Sequence, residues 1–401
     1  MIRVNREEKD IVTERKRKMA YHFTIPKRCV FGSQALEQCE TVIKGFGKKA
    51  FIVTGKVVTK SGILKKLTDK LDAWNIAYEV FNEILGEPTD EMVEQGVQSY
   101  KKAGCDFCIG IGGGSPLDSA KAIMAMTVLD GTIADYSGKE IEGEFPPLVL
   151  IPTTAGTGSE TTKFTVITDT KNDVKMLLKG DDLLPELAVV DYELTISAPQ
   201  SVTAATGMDA LTHAVEAYTS RKANPLTDMY AISAIKRIFK YLPKAYKDGE
   251  NKKAREEMSM AAFEAGVCIN NSSVTIVHGM SRPIGALFHV AHGMSNAMLI
   301  KECLTFAVDG CYDRFANIAR EIGVAGSETS DEKAAGAFLE ALERLCEKCG
   351  IPTLEQYGID KEKFDSVVEK MAADALASGS PSNTIKEVTK EDMIEIYHKL
   401  W

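Results

Sequence analysis

A chain of 401 residues has room for two domains and a large buried core, and its 44% apolar and 26% charged content is that of an ordinary globular protein. A net charge of −9 lacks the basic surface that phosphate neutralisation needs, which argues against a general nucleic-acid binder. The most apolar stretch, around AIMAMTVL, is too short to cross a bilayer, and the N-terminus has no apolar core of a secretory signal, so neither membrane insertion nor export is expected.

The chain opens on MIRVNREEKDIVTERKRK, eleven charges of both signs in eighteen residues, which reads as a solvated extension or short helix, with Met19 an alternative start. Its acidic residues disfavour a transit peptide. From there to about residue 195, short apolar runs alternate with amphipathic helices. AFIVTG (50–55), AYEVFNEI (77–84), CDFCIGIGG (105–113), PLVLIPTT (147–154) and LAVVD (187–191) are near-continuous apolar runs, the pattern of parallel strands covered on both faces. PTDEMVEQGVQSYKKAG carries Val93, Val97 and Tyr100 at helical spacing, and FTVITDTKNDVKMLLKG predicts a β-hairpin turning at Lys171, Asn172 and Asp173.

Beyond about residue 197 strand-like runs cease. DMYAISAIKRIFKYLPKAY, AREEMSMAAFEAGVCI and AAGAFLEALERLCEKCG are helical, the last closed by glycine. The predicted fold is α/β plus all-α: an extension over 1–18, a parallel-sheet α/β domain over 19–196 and an all-helical domain over 197–401. Nine cysteines include two C-x-x-C pairs, CDFC and CEKC, with no zinc-ribbon spacing between them. They predict free, reduced thiols of a cytoplasmic protein.

IGIGGGSPLDSAKAI follows a predicted strand and opens a predicted helix. Ser115 suits its cap, Pro116 its first position, and Asp118 its first turn. Gly112, Gly113 and Gly114 let the backbone approach a pyrophosphate, whose charge the helix N-terminus would stabilise. A plain strand-to-helix turn fits the same residues. IPTTAGTGSETTKFTVITD is a second polar, glycine-containing loop at a strand end, and two such loops on one sheet favour a dinucleotide over a lone phosphate.

GMDALTHAVE places Asp209 and His213 four apart, on one face of a helix. An ordinary helix-face hydrogen bond accounts for such a pair as readily as a metal does. Three of the six histidines, however, fall within HGMSRPIGALFHVAH, from His278 to His292. On one straight helix its ends would lie about 21 Å apart. Pro283 and Gly285 predict a break there that folds the ends together. Asp209, His213, His278 and His292 then offer one carboxylate and three imidazoles, a set suited to Fe²⁺ or Zn²⁺ and poorly suited to Mg²⁺ or Ca²⁺.

GGGSPLDSAKA, IPTTAGTGSE, ATGMDALTHAVEAY and HGMSRPIGALFHVAHGMSNA, in this order and spacing, resemble the iron-dependent (group III) alcohol dehydrogenase family from about residue 20 to the C-terminus. The resemblance implies a Rossmann-like N-terminal domain, a helical metal-binding domain, and NAD(P)-dependent interconversion of an alcohol and an aldehyde in the cleft between them. It implies the same four metal ligands. It carries pyrophosphate contacts over to Gly112, Gly113, Gly114 and Ser115, and cofactor-lining positions to Thr153, Thr154 and the loop through Thr157 and Ser159. Thr54, Gly55, Asp118 and Lys163 are also expected at the cofactor, and Arg282, Phe164 and Ile269 at the substrate. Relatives often pair through N-terminal strands, so a homodimer or higher homo-oligomer is expected, with YHFTIPKRCVFG at the contact.

Three departures from the family pattern bear on the substrate. Members usually carry a histidine four residues after the third metal ligand, where it assists proton transfer; here that residue is Arg282, a poor acid–base group and a good anion clamp unless it serves a structural salt bridge. The final proton is therefore expected through water or the nicotinamide ribose hydroxyl. Gly55 replaces an aspartate that grips the adenine ribose in NAD-dependent relatives, so NAD(H) is favoured and NADP(H) is not excluded. Ser380, Pro381 and Ser382 replace an Asn-Pro-Arg triplet, as space or donors for a head group or as an inert loop. The expected reaction is hydride transfer between NAD(P)H and a short anionic aldehyde: sulfoacetaldehyde to isethionate first, succinic semialdehyde to 4-hydroxybutyrate next. A dehydroquinate synthase-like NAD- and metal-dependent lyase and a non-catalytic dinucleotide-binding protein are the alternatives.

Overall fold

The computed structural model describes residues 20–172 and 174–401. The expected extension over 1–18, Met19, and Asp173 of the hairpin turn lie outside the described residues.

The strands are β1 (Cys29–Phe31), β2 (Lys49–Gly55), β3 (Ala77–Ile84), β4 (Phe107–Gly112), β5 (Leu148–Pro152), β6 (Phe164–Asp169), β7 (Val174–Lys179) and β8 (Leu187–Val190). Six form one parallel sheet in the order β1-β8-β5-β4-β2-β3, and β6 and β7 pair apart as an antiparallel hairpin. The helices of this half are α1 (Glu40–Lys44), α2 (Lys56–Lys60), α3 (Ile63–Ala73), α4 (Asp90–Ala103) and α5 (Gly114–Met126).

The apolar runs are continuous because both faces of the sheet are covered. Phe51, Val53, Cys108 and Leu150 pack with Val93 and Tyr100 of α4 and Leu117 and Ile123 of α5. The alternate residues Ile52, Ile109, Ile111 and Val149 pack on the other side with Ile43 of α1 and Leu67 and Leu71 of α3. Each such side chain contributes about 1.5–3 kcal/mol by leaving water. Gly96 of α4 is a contact point, since a Cβ there would lie 2.3 Å from Ile123 Cδ1. From β2 the chain runs outward to β3 and then returns to β4 on the other side of β2. The carboxyl ends of β2 and β4 therefore flank a topological switch point, where open α/β sheets place their ligand crevice.

The rest of the chain is helical: α6 (Gln200–Tyr218), α7 (Pro225–Lys247), α8 (Lys252–Asn271), α9 (Ile276–Phe288), α10 (His292–Ala307), α11 (Tyr312–Glu321), α12 (Asp331–Lys348), α13 (Leu354–Tyr357), α14 (Lys361–Ala377) and α15 (Lys390–His398). Asn224 caps α7 with Pro225 at its first position, and Gly350 follows α12 in the left-handed region at φ 62°. α6 is buried along nearly its whole length, against α7, α8 and α10. No helix among the described residues is long and apolar enough to cross a membrane.

The predicted break at Pro283 and Gly285 is misplaced. α9 runs through both residues to Phe288, and the chain reverses at His289, which takes φ 55° and ψ 33°. Gly285 serves the reversal from inside the helix, because a Cβ there would stand 3.3 Å from the carbonyl oxygen of Val290 on the returning chain. None of the nine cysteines is in a disulfide. Burial pushes Cys105 up to about 11 and both Cys346 and Cys349 up to about 12, so these thiols stay protonated and unreactive at neutral pH.

Candidate active site

Three helices bring four ligands to one point. Asp209 and His213 project from one face of α6, His278 stands near the start of α9, and His292 is the first residue of α10. Gly293 lets α10 land there: a Cβ would lie 2.5 Å from the carbonyl oxygen of Ala205 and 3.2 Å from Asp209 Cβ. Asp209 Oδ1 is 3.9 Å from His213 Nε2, 3.7 Å from His278 Nε2 and 3.7 Å from His292 Nε2. One ligand atom from each of the four lies within 4.8 Å of the others. Four donors at 2.0–2.2 Å bonds to a tetrahedral cation stand about 3.4 Å apart, so the side chains are arranged close to a binding geometry.

Their protonation fits that use. Burial lowers His213 to about 4, and desolvation of the ring atoms inside the cluster, with the neighbouring His278, His213 and Arg282, lowers the partly exposed His292 to about 3, which leaves both imidazoles neutral with lone pairs to give; at His278 burial is outweighed by Glu216 and Asp209, which raise it. Burial works against ionisation of Asp209, but the surrounding His213, His292 and His278 outweigh it and hold the carboxyl well below its ordinary range. The donor set therefore fits one divalent cation, iron or zinc. Asp209, His213 and His278 side chains are at most 6% exposed, whereas His292 is 46% exposed, so the cluster opens on the His292 side.

Glu216 completes the arrangement and was not singled out from sequence. It lies seven residues after Asp209 and three after His213, on the same face of α6, and that spacing was the available signal. Its Oε2 is 2.5 Å from His278 Nδ1. Its Oε1 accepts from Thr275 Oγ1 and from the Val277 N–H, both at 2.7 Å. Burial opposes ionisation of Glu216, but His278 and the Thr275 hydrogen bonds outweigh it, and the carboxyl titrates below its usual range. A carboxylate on Nδ1 fixes the tautomer that turns Nε2 toward the cation.

The glycine loops gather beside this centre. Gly112 ends β4 at φ 153°, where a Cβ would stand 2.6 Å from Pro116 Cγ, and Gly113, Gly114 and Ser115 open α5 with free N–H groups. Thr154 and Thr157 come over them: a Cβ on Gly113 would meet Thr154 Oγ1 at 3.7 Å, and one on Gly114 would meet Thr157 Cγ2 at 3.1 Å. The Thr153 N–H donates to Gly112 O at 2.8 Å, locking the two strand ends together. The same loop rests on the helical half, since Gly156 abuts Thr206 of α6 and Gly158 abuts Gly266 of α8.

Other expected cofactor residues have side chains engaged within the protein. Thr54 Oγ1 donates to Ile111 O at 2.8 Å. Asp118 accepts from Ser159 Oγ at 2.5 Å and from the Val166 N–H at 2.9 Å. Lys163 Nζ pairs with Asp181 at 2.7 Å, and its N–H donates to Asn270 Oδ1 at 2.9 Å. Fully buried Lys121, also unread in the sequence, ties the loop to α5 through Ser159 Oγ, Thr162 O and Phe164 O; burial lowers it to about 8. Phe164 opens β6, and Ile269 lies near the end of α8 beside Asn270.

Gly55 ends β2 in extended backbone, φ −122° and ψ 170°, but a Cβ would lie 2.7 Å from the carbonyl oxygen of Ile84. Restoring the family's aspartate by Gly55→Asp therefore forces the end of β3 to move. The expected cost is about 1–3 kcal/mol, seen as a lowered thermal midpoint, together with poorer use of NADPH relative to NADH in kcat/KM. An unchanged midpoint would mean that the strand ends are not packed as described.

A parallel sheet with glycine loops at its switch point, joined to a helical cradle for a divalent cation, is the arrangement that a dinucleotide- and metal-dependent oxidoreductase requires. Comparison with known proteins agrees. The model "Iron-containing alcohol dehydrogenase" matches residues 26–192, and the model "Fe-containing alcohol dehydrogenase family, C-terminal" matches residues 203–401. The NAD-dependent methanol dehydrogenase of Bacillus methanolicus is 37% identical over 94% of this chain and 98% of its own. A solved 1,3-propanediol oxidoreductase superposes with TM-score 0.91 at 34% identity, over 95% of this chain and all of its own, 100%. A sulfoacetaldehyde reductase from Bifidobacterium kashiwanohense, solved with NAD+, gives TM-score 0.85 at 30% identity over 95% and 99%. The chain belongs to the iron-containing alcohol dehydrogenase family, and it is an alcohol dehydrogenase or aldehyde reductase using NAD(H) and a divalent metal. This sets aside the lyase and the non-catalytic protein as descriptions of it.

Proposed function

We propose that the enzyme reduces a short aldehyde bearing an anionic head group, sulfoacetaldehyde to isethionate first and succinic semialdehyde to 4-hydroxybutyrate second, with NADH favoured and NADPH tolerated through Gly55. The observation that carries this reading is Arg282. One helical turn after His278, its half-buried guanidinium is desolvated enough to lower its pKa against the opposing pull of Glu216, a carboxylate already paired with His278, and among the described residues Arg282 forms no salt bridge. Its hydrogen-bond partner is a neutral hydroxyl, Ser380 Oγ, at 2.9 Å. The structural salt bridge that would explain the arginine without a ligand is not formed. A half-buried cation with no directly paired counter-charge is poorly compensated, and an anionic substrate would supply a direct partner.

Pro381 holds the Ser380 loop against α9, since a Cβ on Gly279 would meet Pro381 Cγ at 2.6 Å. Ser380 itself is 5% exposed. The likeness to the sulfoacetaldehyde reductase supports the choice of head group. The names of the methanol dehydrogenase and the propanediol oxidoreductase point to uncharged alcohols, so the guanidinium, rather than overall likeness, carries the argument.

When bound, the cation supplies Lewis acidity at the carbonyl oxygen and the dinucleotide supplies the hydride. The chain's own part is positional. Glu216 and Thr275 orient His278, the open His292 side admits substrate, and Arg282 fixes the head group, with Phe164 and Ile269 as flanking walls. Arg282 keeps its proton, so the last proton reaches the alkoxide through water or the ribose hydroxyl. In this reading residues 19–196 hold the cofactor through the loops at Gly112–Ser115 and Thr153–Ser159, and residues 197–401 hold the metal. The enzyme works in the cytoplasm as a homo-oligomer paired through the segment around β1. Reduced-nicotinamide absorbance, followed with both cofactors across a panel of aldehydes, tests the proposal. The anionic aldehydes are expected to exceed butanal in kcat/KM by roughly 10- to 150-fold; parity would refute the head-group assignment.

A further inference from the structure

We propose that Asn296 is a positioning residue of the metal centre, whose amide N–H fixes the orientation in which the Asp209 carboxylate meets the cation. Asn296 lies on α10 one turn after His292 and is fully enclosed, at 0% exposure. Its Nδ2 is 2.7 Å from Asp209 Oδ1, 3.1 Å from His278 Nε2 and 3.3 Å from His292 Nε2. One amide nitrogen thus touches three of the four donor atoms. The amide orientation follows from chemistry: turned over, it would set its oxygen against a carboxylate oxygen, two acceptors facing each other.

The other end of the same amide is telling. Among the described residues, Asn296 Oδ1 is buried without a hydrogen-bond partner. A side chain kept for packing alone would be better served by an apolar residue of similar size, since leaving an amide oxygen unpaired in the interior is unfavourable. What the asparagine supplies is the N–H at Asp209 Oδ1, the oxygen that faces all three imidazoles. Donation there takes one lone pair of that oxygen and fixes the carboxylate's rotation. His278 is held from behind by Glu216; Asn296 does the corresponding work for Asp209.

The test uses the full-length protein loaded with Co²⁺, whose visible spectrum reports donor number and geometry independently of turnover. Asn296→Leu removes the N–H donor at similar size, and Asn296→Asp replaces it with an oxygen at the same shape. The expected result is that both variants change the Co²⁺ spectrum, and that Asn296→Leu weakens Co²⁺ affinity, read by chelator competition, roughly 10- to 100-fold. Wild-type spectra in both variants overturn the proposal. A change in the leucine variant alone makes Asn296 a packing residue, and a change in the aspartate variant alone makes the effect one of added charge; either also overturns it. Should the leucine variant fail to fold, Asn296→Ala, which also removes the N–H donor, takes its place with the same expected and overturning outcomes.

Discussion

Replacing His278 by asparagine is expected to abolish bound metal and turnover together while leaving the fold intact. The two nitrogens of this histidine have separate tasks: Nδ1 faces Glu216 at 2.5 Å, and Nε2 joins the ligand set 3.7 Å from Asp209 Oδ1. An asparagine amide sits close to where Nδ1 was, so it keeps a donor on Glu216 and deletes only the ligand. Loss of the Lewis acid should lower kcat by at least about 10³-fold, with metal content by elemental analysis falling in parallel. His278→Ala should lose both as well, and in addition strand the buried Glu216 carboxylate, for a further loss of about 3–5 kcal/mol in unfolding stability. Glu216→Gln is the graded case: all four ligands remain, and metal affinity should fall by roughly 10- to 100-fold. Retention of metal and turnover in His278→Asn would remove the basis for the whole site.

The metal quartet was legible because histidine is scarce in this chain and because a period of four on a helix carries geometric meaning. Its supporting residues were not. Glu216 stands in the same quoted motif, but an acidic residue on a helix is usually a solvated one, and only the tertiary fold shows that this face of α6 is sealed. Asn296 and Lys121 were hidden for the same reason: polar residues reveal a role by what they touch, and their contacts come from elements distant in sequence. The predicted helix break failed in an instructive way. Proline and glycine inside an apolar helical run suggest a hinge, yet α9 tolerates both, and the reversal is made by His289 in a left-handed conformation with Gly285 giving it room.

The central strands were readable as unbroken apolar runs, since burial on two faces leaves no polar alternation to confuse the period. β1 was not identified as a strand, because three residues at a sheet edge carry too little pattern. The glycine loops were legible as backbone features but not as a network. Asp118 reads from sequence as a favourable first-turn charge at the cofactor loop; in the fold its carboxylate accepts from Ser159 Oγ and the Val166 N–H, so its placement supports the loop from beneath.

Arg282→Ala should separate substrates by charge. The guanidinium lies in the metal-bearing helix, close enough to His292 to lower its affinity for a proton, and bonds only a serine hydroxyl among the described side chains. If a sulfonate or carboxylate completes its pairing, the lost charge-assisted contact is about 1.5–3 kcal/mol, or roughly 10- to 150-fold in kcat/KM for the anionic aldehyde. Butanal should lose nothing comparable, and removal of a desolvated cation should leave the folded protein as stable or more so. The split also separates the two tasks of the site. Metal content in Arg282→Ala is expected to match the wild type, because the residue touches none of the four donors, whereas KM for the anion rises. An equal loss for butanal and the anionic aldehyde, or a loss of metal, would instead make Arg282 part of the metal centre's architecture and return the substrate question to uncharged aldehydes.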